Sequence, residues 1–236
     1  MRSFTELKFN LSEGVYDKNI FKAFFLAGGP GSGKTFVTRN AFSGSGLKVV
    51  NSDTVFEKAL SKAGLSMRMP DEEEYFRNMV RARAKATSSN MLDSYINGRL
   101  GIIIDATGRD YQLISNQNAM LKQLGYDTSM IFVNTSLEVA LERNRKRERT
   151  VPEYIATKSW NVVQSNMGKF QNLFGASNFL VVDNNRSEQE LVTMTMNKVN
   201  NAVRRLLSTP IKSYIAKKWI QKELEAKRRR WDLKIT

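Results

Sequence analysis

Five short apolar runs, separated by longer segments with helical periodicity, organise this chain of 236 residues. Within each run the apolar residues are consecutive and do not alternate with polar ones, which is typical of strands buried on both faces of a parallel sheet. The pattern therefore predicts five strands of an α/β fold. The runs lie in KAFFLAG (22–28), GLKVVNSD (46–53), GRLGIIIDATG (98–108), TSMIFVNT (128–135) and NFLVVDNN (178–185).

The segments between these runs predict helices that cover both faces of the sheet. Acidic residues crowd the first turn of segment 70–98, and Gly98 lies where a C-terminal cap belongs. Residues 208–210, Ser-Thr-Pro, separate the last two helical segments. The predicted helices are 34–42, 70–98, 111–124, 137–149, 152–174, 187–207 and 211–231.

A glycine-rich loop joins the first predicted strand to the first predicted helix. It matches the pattern G-x-x-x-x-G-K-[ST] in the required structural position. In this motif the loop N–H groups and the helix N-terminus bind phosphates, the lysine bridges the β- and γ-phosphates, and the hydroxyl holds Mg²⁺. The sequence therefore predicts a nucleoside triphosphate site formed by Gly28, Gly29, Pro30, Gly31, Ser32, Gly33, Lys34 and Thr35.

Two aspartates follow predicted strands at the same edge of the sheet. Asp53 comes just after the second strand and Asp105 ends the third. Ligands of parallel sheets bind beyond the carboxyl ends of the strands. Asp53 is placed to take a proton from an acceptor hydroxyl, or to cap the helix that follows it. Asp105 fits a Mg²⁺ ligand, a contact to the acceptor, or a plain turn residue.

The composition narrows the available chemistry. The chain has no cysteine and no histidine, so acid–base chemistry falls to Asp, Glu or Lys. A hydrophobic fraction of 41% is enough for a folded core. No apolar run approaches the roughly 20 residues that cross a bilayer. The N-terminus lacks the apolar block of a signal peptide, so we expect a cytoplasmic protein.

Positive charge is concentrated at the C-terminus. The formal net charge is +14, and residues 204–236 carry 11 Lys and Arg against 3 Asp and Glu. Such a surplus attracts phosphate-rich partners, including nucleic acid, nucleotides and anionic lipid. The last predicted helix has an apolar face with Ile211, Ile215 and Trp219 and a lysine-rich face. Three interpretations are open: docking on the core, nucleic-acid binding, or contact with a membrane surface or partner protein.

A second basic segment, ERNRKRER (142–149), lies between the fourth predicted strand and Pro152. Its five Arg and Lys residues fit a lid whose arginines neutralise charge on a transferred phosphoryl group. A solvated charged face is the alternative. The position favours a lid at residues 142–152. We expect residues 1–207 to form a P-loop kinase domain and 208–236 to form a basic helical appendage.

The order and spacing of these motifs resemble the P-loop kinases that include phage polynucleotide 5′-hydroxyl kinase and the zeta toxins. The resemblance runs from Phe21 to Asn185 and rests on GGPGSGKT, VVNSDT, IIIDATGRD, ALERNRKRERTVPEYI and VVDNN. It implies a P-loop NTPase three-layer sandwich with a five-stranded parallel sheet and a helical lid. It also implies ATP and Mg²⁺ as cofactors, transfer of the γ-phosphate to a hydroxyl, and a phage-encoded protein that acts in the host cytoplasm.

The resemblance implies roles for individual residues as well. The catalytic residues would be Lys34, Asp53 and Arg147, with Asp53 activating the acceptor hydroxyl and Arg147 serving as the lid arginine. Further contacts to ATP would come from Arg143, Asp183 and Asn184, the last two near the adenine. The acceptor pocket would be lined by Asp53, Asp105, Thr107 and Arg109. The metal ligands would be Thr35 and Asp105.

Two departures from the resembling families keep the acceptor open. Phe56 stands three residues after Asp53, where the polynucleotide kinase has an arginine for the acceptor's 3′-phosphate. Asp105 stands where zeta toxins have glutamate.

Three functions follow from these features. The basic charge favours a kinase of polynucleotide 5′-ends, in DNA or RNA. A zeta toxin-like kinase of sugar nucleotides or small molecules is the first alternative. An ATP-dependent nucleic-acid-binding protein without kinase activity is the second, and ATP-dependent oligomerisation would mark a motor of that class.

Overall fold

All five predicted strands lie in one parallel sheet of order β2-β3-β1-β4-β5. The structure is a computed structural model that describes residues 14–68, 70–185 and 188–232. The predicted parallel α/β fold is confirmed. The strands are β1 (Lys22–Ala27), β2 (Lys48–Val50), β3 (Ile102–Asp105), β4 (Asp127–Asn134) and β5 (Phe179–Asp183).

Eight α-helices accompany the sheet within the described residues. They are α1 (Lys34–Phe42), α2 (Ser52–Lys62), α3 (Glu74–Asn97), α4 (Tyr111–Gln123), α5 (Leu137–Arg145), α6 (Glu153–Phe174), α7 (Gln189–Ser208) and α8 (Tyr214–Asp232). Short 3₁₀ turns occupy Gly14–Tyr16, Asp71–Glu73 and Ala176–Asn178.

The helix boundaries differ from the predicted ones in several places, and α8 begins at Tyr214 instead of 211. The segment 70–98 starts with a 3₁₀ turn before α3, and Gly98 is its C-cap as predicted. Helix α5 ends at Arg145, four residues before the predicted end at 149, so the second half of the basic run is a loop. Helix α7 begins at Gln189, and Ser187, where the prediction began, lies outside the described residues.

Two hydrophobic cores lie on opposite faces of the sheet. Every residue of β1 is buried, and Phe24 and Phe25 point to different cores because successive side chains of a strand alternate in direction. One core receives apolar residues of α3, α4, α6 and α8, and the other receives those of α1 and α7. The consecutive apolar residues of the strands are explained by this two-sided burial.

Helix α8 packs on the first of these cores. Ala216 is fully buried, and the ring of Trp219 meets that of Phe21 edge-on, with 5.6 Å between centroids. Ile215 is 53% exposed, so the apolar face is narrower than the sequence pattern suggests. The docking interpretation therefore holds for this face of α8, while the lysine-rich face stays in solvent. No helix in the described ranges combines the length and hydropathy that crossing a bilayer requires.

Helices α2 and α3 form a smaller core of their own. Phe56 and Leu60 of α2 pack against Ala84 of α3, and all three are buried. These two helices lie at the edge of the sheet that β2 forms. The strand order therefore places β1 at the centre, α2 and α3 on one flank, and β4 and β5 on the other.

Candidate active site

The glycine-rich loop connects β1 to α1 at the carboxyl edge of the sheet, as the motif predicts. Gly31 and Gly33 have φ angles of 80° and 90°, a conformation that favours glycine. A Cβ on Gly31 would lie 2.1 Å from the carbonyl oxygen of Ala140 in α5. The Gly28 N–H donates to the carbonyl of Thr107 at 3.1 Å. The loop is thus held tightly between β3's extension and α5.

Lys34 opens α1 and turns back over the loop. Its Nζ donates to the carbonyl oxygens of Gly28 at 2.7 Å and Gly29 at 3.4 Å. Burial lowers the pKa of Lys34, an effect that Asp105 and Asp53 oppose and Arg147 reinforces. Lys34, Asp105, Asp53 and Arg147 therefore belong to one electrostatic cluster. Thr35, the predicted Mg²⁺ ligand, is exposed in the first turn of α1.

The β4–β5 flank of the loop carries the predicted nucleotide contacts. Asn184 Nδ2 donates to the carbonyl of Ser32 at 2.7 Å, and a Cβ on Gly33 would lie 2.2 Å from that nitrogen. Arg143 Nη1 donates to the carbonyl of Asn184 at 2.7 Å. Asp183 and Asn184 line a shallow cleft between α1 and α7. The structure thus brings Arg143, Asp183 and Asn184 to one side of the phosphate loop.

The β2–β3 flank carries the two predicted aspartates, joined by a residue that the sequence analysis did not single out. Asn51 caps α2 by accepting hydrogen bonds from the N–H groups of Asp53 at 2.8 Å and Thr54 at 3.1 Å. Its Nδ2 donates to Asp105 Oδ2 at 2.6 Å. The alternative capping role for Asp53 is therefore wrong, because Asn51 fills it. The Asp53 carboxylate stays half-exposed, 52% accessible.

The carboxylate of Asp105 lies deeper than that of Asp53. Burial raises the pKa of Asp105, and the nearby charge of Asp53 raises it further, whereas Lys34 and the hydrogen bond from Asn51 lower it. A partly desolvated carboxylate beside a second one attracts a cation. No cluster of three or more acidic ligands surrounds a point within the described residues. One carboxylate and one hydroxyl suit Mg²⁺, which keeps several waters and takes its other ligands from substrate phosphates.

Thr107 and Arg109 stand in the loop after β3. The carbonyl of Thr107 receives the Gly28 N–H, and the carbonyl of Arg109 receives Asn166 Nδ2 from α6 at 3.1 Å. Asn166, buried in α6, also donates to the carbonyl of Gly108 at 3.1 Å. These backbone contacts fix the loop beside the phosphate loop. The side chain of Arg109 is exposed, so an acceptor contact by Arg109 stays a prediction.

The basic run divides into parts with different surroundings. Arg145 and Lys146 make exposed ion pairs with Glu153 and Glu142, both at 2.5 Å, as a solvated charged face would. Arg143 is turned inward, and Arg147 lies within electrostatic range of Lys34 and Asp105. The solvated-face interpretation therefore fits Arg145 and Lys146, whereas a lid function for Arg143 and Arg147 stays a prediction.

Asn144 explains why the helix ends early. It is buried, and its side chain donates to the carbonyl of Val151 at 2.6 Å and accepts from the Val151 N–H at 3.1 Å. These two bonds close the loop 145–150 on itself. A continued helix would carry Val151 away from Asn144, so the tertiary contact overrides the helical propensity of the basic run.

Arg149 is a second residue, after Asn51, that the sequence analysis did not single out. It sits in the loop closed by Asn144, and its Nη2 lies 3.3 Å from Asp53 Oδ1. Its Nε lies 3.2 Å from Glu57 Oε1 in α2. The sequence offered one signal, its place at the end of the basic run. Phe56, at the position where the polynucleotide kinase has an arginine, is 1% exposed beneath this pair.

Comparisons with known proteins agree with this architecture. A sequence-family profile described as "AAA domain" matches residues 24–170, more than half of the chain. The chain therefore belongs to this AAA domain family. No curated protein matches the sequence significantly.

Solved structures share the fold. A putative kinase from Chloroflexus aurantiacus J-10-fl is 19% identical with a TM-score of 0.57, over 79% of this chain and 98% of that one. A chain of the Pnkp1/Rnl/Hen1 RNA repair complex is 21% identical with a TM-score of 0.50, over 64% of this chain and 47% of that one. The PezAT toxin–antitoxin system of Streptococcus pneumoniae gives 15% and 0.49, over 87% and 98%. The fold is that of the P-loop kinases.

Proposed function

We propose that the protein is an ATP-dependent kinase that transfers the γ-phosphate to a hydroxyl, with a polynucleotide 5′-end as the acceptor. The observation that carries this proposal is the cluster of Lys34, Asp53, Asp105 and Arg147 at one flank of the phosphate loop. A protein that only binds ATP has no need of a half-exposed carboxylate there, whereas an ATPase would use one to activate water and would release free phosphate. A kinase needs one to take the proton of its second substrate.

The donor half of the site is formed by the loop and the β4–β5 flank. Loop N–H groups and Lys34 would hold the phosphates. Gly31 and Gly33 have positive φ angles, a backbone conformation in which successive N–H groups can bind an anion. The Lys34 ammonium would leave the carbonyls of Gly28 and Gly29 for phosphate oxygens. Thr35 and Asp105 would hold Mg²⁺, which neutralises charge on the phosphates when bound. Asp183 and Asn184 would lie near the adenine.

The proposed reaction moves one proton, forms one bond and breaks one bond. Asp53 accepts the proton of the acceptor hydroxyl as the acceptor oxygen bonds to the γ-phosphorus. The bond from that phosphorus to its bridging oxygen breaks, and ADP leaves with the electron pair. Arg147 would stabilise the charge on the transferred group. Thr107 and Arg109 would contribute to the acceptor side.

The positive charge of the protein favours a polynucleotide as the acceptor. The net charge of +14 and the solvent-facing lysines of α8 attract a polyanion. Phe56 in place of an acceptor-binding arginine favours the second candidate, a kinase of sugar nucleotides or other small molecules.

The test is transfer from γ-labelled ATP with Mg²⁺ to a panel of 5′-hydroxyl DNA, 5′-hydroxyl RNA, nucleosides and UDP-sugars. Lys34→Ala and Asp53→Asn should each reduce transfer by at least about a hundredfold, because each removes a group used in the transition state. The exposed residues Lys58 and Asp93 supply matched controls, Lys58→Ala and Asp93→Asn, which should match the wild type. Label reaching no acceptor while free phosphate appears would overturn the kinase proposal.

A further inference from the structure

Arg149 makes one ion pair with the proposed base, Asp53, and one with Glu57, and its guanidinium still has N–H groups without a partner. Its contacts to Asp53 and Glu57 use Nη2 and Nε, and its side chain is only 14% exposed. The remaining nitrogen, Nη1, is buried and has no hydrogen-bond partner. A buried donor without a partner costs free energy that a bound acceptor oxygen would recover.

A second arginine contacts the same aromatic ring. Arg81 of α3 places its Cζ 4.3 Å from the centroid of the Phe56 ring, and Arg149 places its own 5.7 Å from that centroid. Burial lowers the pKa of Arg81, and the charge of Arg149 lowers it further, partly opposed by Asp53. Among the described residues, Arg81 makes no hydrogen bond or ion pair. Its guanidinium is therefore partly desolvated, near a like charge, and unpaired.

The local charges leave an excess of cations. Arg77, one turn before Arg81, donates Nη1 to the carbonyl of Pro70 at 2.6 Å and is thereby occupied. Among the described residues, Arg149 pairs with Asp53 and Glu57, and Asp53 is the acid whose charge acts on Arg81. Two neighbouring guanidiniums with free N–H groups repel each other unless an anion lies between them. Phosphate is the group that the planar fork of arginine matches best, through paired N–H···O bonds.

We propose that Arg81 and Arg149 form a phosphate subsite on the acceptor side of Asp53, with the Phe56 ring as its floor. The acceptor is accordingly a hydroxyl compound that already carries a phosphate close to the reacting hydroxyl. This inference rests on the proposed kinase function and names the substrate class of the same site. The subsite predicts that the acceptor is a phosphorylated nucleoside, a polynucleotide end or a sugar phosphate. A neutral nucleoside should be a poor acceptor.

The subsite has a consequence for the base. With no acceptor bound, Arg149 forms an ion pair with Asp53 Oδ1, an oxygen of the carboxylate that must receive the hydroxyl proton. A phosphate at the subsite offers Arg149 an anionic partner and draws it from Asp53. The acceptor's own phosphate thus releases the base, so acceptors without it meet a carboxylate that is still paired.

Binding of inorganic phosphate tests the subsite without any need for catalysis. Isothermal titration is performed with the phosphate loop saturated by a non-hydrolysable ATP analogue and Mg²⁺. Arg81→Gln should weaken phosphate binding roughly tenfold to a hundredfold, as loss of charge-assisted hydrogen bonds does. Arg83→Gln is the matched control, because Arg83 is exposed on the same helix and the charge change is identical. Equal phosphate affinity in Arg81→Gln and the wild type would refute the subsite.

Steady-state transfer to adenosine 3′-monophosphate and to adenosine tests the release of the base. Arg149→Gln should lower kcat/KM for the phosphorylated acceptor and raise kcat for adenosine, because the base is then no longer paired. Equal losses on both acceptors contradict the release. If no acceptor is phosphorylated but Arg81→Gln alone loses phosphate binding, the kinase function fails and the subsite stands. If transfer occurs and phosphate affinity is unchanged in Arg81→Gln, the reverse is true.

Discussion

Removing the side chain of Asn144 should release the basic loop while leaving the sheet intact. Asn144→Ala deletes the amide that donates to the Val151 carbonyl and accepts the Val151 N–H. Arg145 also pairs with Glu153 across this loop, but that ion pair is exposed and contributes little. The chain between Asn144 and Val151 then loses its buried closure and is held mainly by the ion pairs of Arg145 and Arg149.

The size of the effect follows from the two bonds. Each intramolecular hydrogen bond contributes about 1 kcal/mol net, and a partly buried group left unpaired costs more. A loss of about 2 kcal/mol in the free energy of loop opening is therefore expected, which multiplies the open population by about 30. The cavity left by a buried Asn adds to global destabilisation, so thermal unfolding should also shift downward.

Limited trypsin digestion reads this out directly, because the loop contains Arg145, Lys146, Arg147 and Arg149. Cleavage after these residues, followed by mass spectrometry, should be about 30-fold faster in Asn144→Ala when opening is in rapid equilibrium. Asn161→Ala, at an exposed position of α6, is the control and should cleave like the wild type.

A conservative variant separates local from global opening. Asn144→Asp keeps the acceptor for the Val151 N–H but sets a carboxylate oxygen against the Val151 carbonyl, so its cleavage rate should also rise above that of the wild type. If Asn144→Ala retains native helicity and cleaves at the wild-type rate between residues 145 and 150, the two hydrogen bonds do not hold the loop, and the explanation for the early end of α5 is wrong.

Two further predictions concern stability. In chemical denaturation Trp219→Ala should lower the free energy of unfolding by roughly 2–3 kcal/mol, less than the loss of a fully buried tryptophan, because Trp219 is half-buried. Ile215→Ala should change it by no more than about 0.5 kcal/mol. Equal effects would mean that α8 does not depend on its docked face. Asp105→Asn should stabilise the fold at neutral pH by roughly 0.5–2 kcal/mol while abolishing Mg²⁺-dependent activity. The raised pKa of Asp105 means that the folded state binds its proton more tightly than the unfolded state, so wild-type stability falls as pH rises from the ordinary carboxyl range through the raised pKa. Melting temperatures across that range should show the gap to Asp105→Asn closing on acidification, and a variant less stable than the wild type at pH 7.5 would contradict the reasoning.

The phosphate loop and the strands could be predicted from the sequence because their signals are local. Gly28 to Thr35 form a contiguous motif whose backbone conformation only glycine tolerates at Gly31 and Gly33. Consecutive apolar residues reveal a strand wherever both faces are buried. Asp53 and Asp105 could be assigned to one edge because parallel strands all present their carboxyl ends there. None of these inferences requires knowing which strand lies beside which.

The conformation of the basic run and the surroundings of Asp53 were only partly predictable. The basic run was visible, but its helical periodicity continued past Arg145, and nothing local indicates that Asn144 would reach Val151. Likewise, Asp53 and Asn51 are both good helix caps by propensity. The choice between them depends on Asn51 also reaching Asp105, a contact between residues 54 positions apart.

What the sequence alone determined about this protein is its parallel α/β class, its phosphate loop and the carboxylates at the sheet edge. Only the tertiary structure decided the strand order β2-β3-β1-β4-β5, and with it which side chains lie on each side of the phosphate loop. It alone brought Asp53, Arg81 and Arg149 together around Phe56. The physical reason is that periodicity and turn chemistry act between near neighbours in sequence, whereas these three charges come from α2, α3 and the loop after α5 and meet only once the separate elements pack.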